Sequence, residues 1–108
     1  MTKDSLLETL YAARRQLTLL IVRTAPLPNE EASLEDLLEA RDRLVWTINR
    51  INLSELTASL AQSTDACDEI EAAVEKLKAL TATVSNIDKA LGITATVLNA
   101  ASAVLGKI

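Results

Sequence analysis

The second half of this chain carries a hydrophobic stripe that returns every three or four residues without a break. It reads Leu56, Leu60, Ser63, Cys67, Ile70, Val74, Leu77, Thr81, Val84, Asp88, Leu91, Ala95, Leu98, Ser102 and Leu105. A four-three alternation keeps one face of an α-helix turned toward a neighbour, so this half of the chain must be helical and must pack against other helices. The seam residues expected to make that contact are Leu56, Leu60, Cys67, Ile70, Val74, Leu77, Val84, Leu91, Leu98 and Leu105.

The first half repeats the pattern in two shorter pieces. Leu6, Leu10, Ala13, Leu17, Leu20 and Thr24 form one stripe, widened by Leu7 and Ile21. Ser5 with Glu8 three residues later predicts a capping box, and the all-apolar run Leu19 to Val22 predicts burial from several sides. Pro26 and Pro28 exclude a continuing helix and mark a linker over 25–33. Ser33, with Asp36 three residues on, is expected to cap the next helix. That helix carries Leu34, Leu37, Arg41, Leu44, Ile48 and Ile51, joined by Leu38 and Val45; Glu39 and Arg43 stand in the favourable i, i+4 order on its outer side. Trp46 lies off this stripe and is expected on a second buried face; left exposed, it would be the first candidate for a partner-binding anchor.

Between Ile51 and Leu53 the phase jumps, which predicts a turn near Asn52–Ser54 with Asn52 left-handed and Ser54 as the next N-cap. The expected fold is an all-α, antiparallel three- to four-helix bundle in a single domain, 1–108. Its helices fall at about 4–24, 34–51, 54–91 and 92–106, the last two forming a long heptad-patterned stretch kinked near Ser85–Gly92. Unbroken, 54–106 would extend roughly 80 Å, too long for helices of roughly 20 residues to cover. The chain therefore folds back near Gly92, or an oligomer shares the exposed seam.

Composition agrees. Hydrophobic residues are 49% of the 108, yet Tyr11 and Trp46 are the only aromatics, so the core must be aliphatic. The net charge of −4 and the absence of any basic cluster beyond Arg14-Arg15 argue against nucleic acid. Cys67 is the sole cysteine, which excludes an intramolecular disulfide and favours a small buried seam residue over a bridge between chains. An N-terminus reading Met-Thr-Lys-Asp, with charges breaking the first apolar residues, resembles no signal peptide, and a cytoplasmic product is expected.

Catalysis finds few footholds. Histidine is absent, and the two glycines cannot build a phosphate loop. No cofactor or metal is therefore expected. The weak alternative is a Mg²⁺-dependent hydrolase on helix carboxylates: Glu31, Glu35 and Glu39, the pair Asp65–Asp68, and the pair Glu71–Glu75. Glu30-Glu31 with Asp65-x-x-Asp68 bears a faint likeness to the acidic motifs of all-helical nucleotide pyrophosphatases. A solvated outer face accounts for the same residues and is preferred.

Two further features bear on function. Residues 90–106 are seventeen uncharged residues between Lys89 and Lys107. They read as a buried bundle helix, with small residues admitting close neighbours and Asn99 and Ser102 bonding across the bundle. Their small-xxx-small spacing also suits helices packed in lipid, and the composition is similar to that of water-soluble bundles that release a helix, as α-pore-forming toxins do. Arg41 and Asp88 are the charges on the apolar stripes and, if buried, should pair. The leading expectation is a non-enzymatic interaction or oligomerisation module, a coiled-coil-like protein acting by self-association or on a partner helix. The alternative is a membrane-active protein whose segment 90–106 inserts into or lies on a bilayer.

Overall fold

In a computed structural model, which describes residues 2–54, 63–80 and 87–106, the chain is a bundle of four α-helices. They are α1 (Lys3–Thr24), α2 (Glu31–Leu53), α3 (Thr64–Leu80) and α4 (Ile87–Leu105). The longest dimension is 47 Å, so the second half is not one continuous rod.

Helix α1 starts one turn earlier than the Ser5–Glu8 pattern suggests. Thr2 is the N-cap, and its Oγ1 accepts the Ser5 N–H at 3.1 Å. A short hydroxyl side chain in extended backbone satisfies one of the orphan donors of the first turn, and Asp4 adds a negative charge at the positive end of the helix dipole. The buried face is Leu6, Leu7, Leu10, Ala13, Leu17, Leu20, Ile21 and Thr24. Thr24 satisfies its buried hydroxyl by donating to the Leu20 carbonyl at 2.7 Å. The run Leu19–Val22 is not enclosed on all sides: Leu19 and Val22 are exposed, while Leu20 and Ile21 face the bundle, where α1 packs on α2 and α3.

Helix α2 begins at Glu31, earlier than a Ser33 cap would place it. Asn29 turns the chain with φ of 66°, and a left-handed residue lets the helix start right after the prolines. Leu37, Leu44, Thr47, Ile48 and Ile51 are buried. The helix runs through Asn52 to Leu53, so Asn52 is helical rather than left-handed. Ser54 is the C-cap of α2, and its Oγ donates to the Ile51 carbonyl at 2.6 Å; the helix expected to begin from it as N-cap would start outside the described residues. Across the hairpin, Lys3 Nζ donates to the carbonyls of Asn52 at 2.9 Å and Ser54 at 2.6 Å. A cation there caps the negative end of α2 and fixes α1 and α2 antiparallel.

Helices α3 and α4 form the second hairpin and share the most extensive interface. Two further interfaces, α1 on α3 and α2 on α4, join the hairpins. Helices α2 and α3, consecutive in sequence, therefore sit across the diagonal of the bundle.

In α3, Cys67, Ile70, Ala73, Val74 and Leu77 are buried. In α4 the buried face is Ile87, Ala90, Thr94, Val97, Ala100, Ala101 and Val104. That face is set one residue earlier than the stripe through Asp88, Leu91, Ala95, Leu98, Ser102 and Leu105, a rotation of about 100°. The stripe treats α3 and α4 as one helix, but they pack on each other as two, and a chain reversal resets the phase. The buried sides of these helices carry small residues, Ala73 on α3 and Ala90, Thr94, Ala100 and Ala101 on α4, which let neighbouring backbones approach. Gly92 lies inside α4 and does not end it.

Candidate binding surface on the second helix

Trp46 is 60% exposed, which overturns its expected place on a second buried face. Every inward position of α2 at that level is already filled by Leu44, Thr47 and Ile48, and a residue between them points outward. Leu53, two turns later on the same face, is 86% exposed. Between them Arg50 lays its guanidinium 4.8 Å from the centre of the Trp46 ring. Asp42, one turn before Trp46, is exposed as well. The outer face of α2 thus presents acid, indole, guanidinium and leucine in axial order.

Helix α1 carries a smaller version. Tyr11 lies beneath Arg14, whose guanidinium is 4.9 Å from the ring centre. Arg15, Leu19 and Val22 continue this exposed side. Both aromatic residues of the chain therefore stand at the surface under an arginine, while the hydrophobic core of the described residues is built from aliphatic side chains and Cys67, with Thr24, Thr47, Ser63 and Thr94 buried beside them.

The residues singled out from the sequence fall in three places. Cys67, Ile70, Val74 and Leu77 are buried in the centre of the bundle. Leu91, Leu98 and Leu105 are half-buried at the flank of α4; Leu91 and Leu98, with Ala95, line a shallow groove of about 260 Å³ against Asp36, Glu39, Ala40 and Arg43 of α2. Leu56, Leu60 and Val84 lie outside the described residues, as does Ser85.

Arg41 and Asp88 do not form the buried pair. Asp88 is exposed, Arg41 is half-buried, and no ion pair joins them. The one-residue rotation of α4 carries Asp88 out to water, where no partner is required of it. Asn99 and Ser102 are exposed for the same reason, so they do not bond across the bundle. The buried polar residue of α4 is instead Thr94, which donates to its own helix at the Ala90 carbonyl, 2.8 Å away.

The acidic pairs stay on the outside. Glu31, Glu35, Glu39, Asp65, Asp68, Glu71 and Glu75 are exposed and Glu30 is half-buried. Glu39 bonds Arg43 at 2.9 Å and Glu75 bonds Lys78 at 3.2 Å. Among the described residues no three acidic or cysteine side chains gather as a metal site would need. Cys67 is buried and unbridged. Burial pushes its thiol above the usual value, and the carboxylates of Asp68 and Glu71 push the same way.

The α2 face was written in the sequence as a second, weaker periodicity. Asp42, Trp46, Arg50 and Leu53 are spaced four, four and three, offset from the core stripe. What hides it is that only two of the four are apolar.

Compared with known protein families, curated proteins and solved structures, the chain matches none.

Proposed function

We propose that this protein is a non-enzymatic helical interaction module whose docking surface is the outer face of α2, with Trp46 and Leu53 as its anchors. The single observation that carries this reading is the exposure of Trp46, the largest apolar side chain of the protein, in a bundle that fills its core without aromatics. Tryptophan and arginine are among the residues that most often carry binding energy at protein interfaces, tryptophan because it buries much area for two frozen torsions and arginine because its planar guanidinium stacks and donates several hydrogen bonds. An indole with a leucine two turns on is also what a partner helix or groove recognises as anchors of one helix face. We propose a cytoplasmic location, since the single cysteine offers no disulfide framework of the kind small secreted domains use.

Segment 90–106 supports this reading better than a membrane one. Insertion would strip Ala90, Thr94, Val97, Ala100, Ala101 and Val104 from the core. Among the described residues no helix is long and apolar enough to cross a membrane.

The test compares the wild-type chain with a Trp46→Ala/Leu53→Ser variant as cross-linking baits in the same cell extract, after circular dichroism has shown equal helicity. Proteins held by the wild type and lost by the variant support the reading. An identical set of cross-links from both chains would overturn it.

A further inference from the structure

Within one α2 helix, Asp42 and Arg50 cannot meet. They are eight residues apart on the same exposed face, about 12 Å along the axis. Among the described residues neither is in an ion pair, and Arg50 is engaged with the Trp46 ring. Trp46 lies midway between them. This order of acid, indole and base is complementary to itself when reversed. A second α2 laid antiparallel across the first, with the two Trp46 residues at the twofold axis, sets each Arg50 opposite the other chain's Asp42.

We infer that the occupant of the α2 face is a second copy of this chain, in a symmetric antiparallel dimer joined by two Asp42–Arg50 ion pairs around paired Trp46 rings. The inference rests on the docking face proposed above and names its partner. A twofold axis through the helix face makes every contact occur twice, which is how a single short patch becomes an interface. Stacking of Arg50 on Trp46 holds the guanidinium in place and leaves its N–H edge free for a carboxylate, so little freedom is lost when the copies meet. The Trp46 rings and the Leu53 side chains supply the apolar area; the ion pairs set direction and register. Beside them, Glu39 and Arg43 are already paired within their own helix and do not compete for either charge.

The experiment is sedimentation equilibrium of the full chain from micromolar to millimolar concentration, with Trp46 emission recorded in parallel. Trp46 is the only tryptophan, so its emission reports this face alone. Association accompanied by a blue shift is expected. Asp42→Arg and Arg50→Asp should each weaken association by about tenfold or more, since each sets like charges opposite one another. The double variant, which restores opposite charges in exchanged places, should recover it. A monomer at every concentration overturns the dimer, as does association indifferent to either reversal, or a double variant no better than the singles. Should the wild type stay monomeric while the Trp46-dependent cross-links in extract persist, the dimer alone falls and the docking face stands; loss of both removes the docking face as well.

Discussion

The guanidinium of Arg50 sits 4.8 Å from the centre of the Trp46 ring, one helical turn away on the outside of the bundle. Arg14 and Tyr11 repeat the arrangement on α1 at 4.9 Å. At such exposed sites the attraction of a cation for an aromatic face is worth about 0.5–1 kcal/mol. It also lays a hydrated charge over an apolar ring that is 60% exposed. At concentrations where the chain is monomeric, Arg50→Ala should therefore leave the melting temperature nearly unchanged and make Trp46 markedly easier to quench with acrylamide. A quenching constant equal to that of the wild type would show that the arginine does not shield the ring.

Ala101 and Ser102 are neighbours in α4 with opposite fates: Ala101 is fully buried and Ser102 is exposed. Ala101→Asp should unfold the bundle, because an unpaired carboxylate in an aliphatic core costs several kcal/mol. Ser102→Asp should cost about 0.5 kcal/mol or less. Chemical denaturation of the two variants reads out the rotation of α4 directly, and the reverse ranking would restore the phase of the continuous stripe. On α3, Leu77→Asp should abolish folding as Ala101→Asp does, since Leu77 is wholly buried.

Gly92 stands in the interior of α4 with open space where a Cβ would go. Replacing it by alanine removes backbone freedom from the unfolded chain and meets no neighbour in the folded one. Gly92→Ala should stabilise the protein by about 0.5–1 kcal/mol, seen as a higher denaturation midpoint at constant m-value. A destabilised variant would mean that this face of α4 is covered in solution.

Cys67 gives a pH dependence whose sign follows from its burial. The folded state holds the thiol proton to higher pH than the unfolded state does. This contribution to stability is complete below the ordinary thiol pKa and is lost as pH rises from there toward the raised folded value. Cys67→Ala should flatten the alkaline fall in stability. Alkylation of Cys67 at neutral pH should be slow in buffer and fast in denaturant; labelling at the rate of a free thiol without denaturant would place the side chain at the surface.

The helical class, the linker at the prolines and the inward faces of α1 and α3 were legible because they depend on local rules. A residue at i brings i+3 and i+4 to its own side whatever the rest of the chain does, so Leu6, Leu10, Ala13 and Leu17, or Cys67, Ile70, Val74 and Leu77, share a face by backbone geometry alone. Thr2 took the capping role expected of Ser5 because a hydroxyl one residue ahead of the helix serves equally well, and Ser5 remained in the first turn.

What periodicity does not carry is the rotation of one helix against the next after the chain reverses. The leucines at 91, 98 and 105 lie next to the small-residue face at 90, 94, 97 and 101, and within α4 either set could turn inward. The bundle turns the small set inward, which puts Asp88 in water and leaves no buried pairing with Arg41. Trp46 was left outside by the same kind of decision, once Leu44, Thr47 and Ile48 had filled the interior of α2. The sequence by itself determined the elements and their amphipathic faces, because those follow from interactions within a turn or two of helix. The tertiary structure alone decided which of two adjacent faces is buried and which surface is left to a partner, because that depends on how summed side-chain volumes fit between helices distant in the chain.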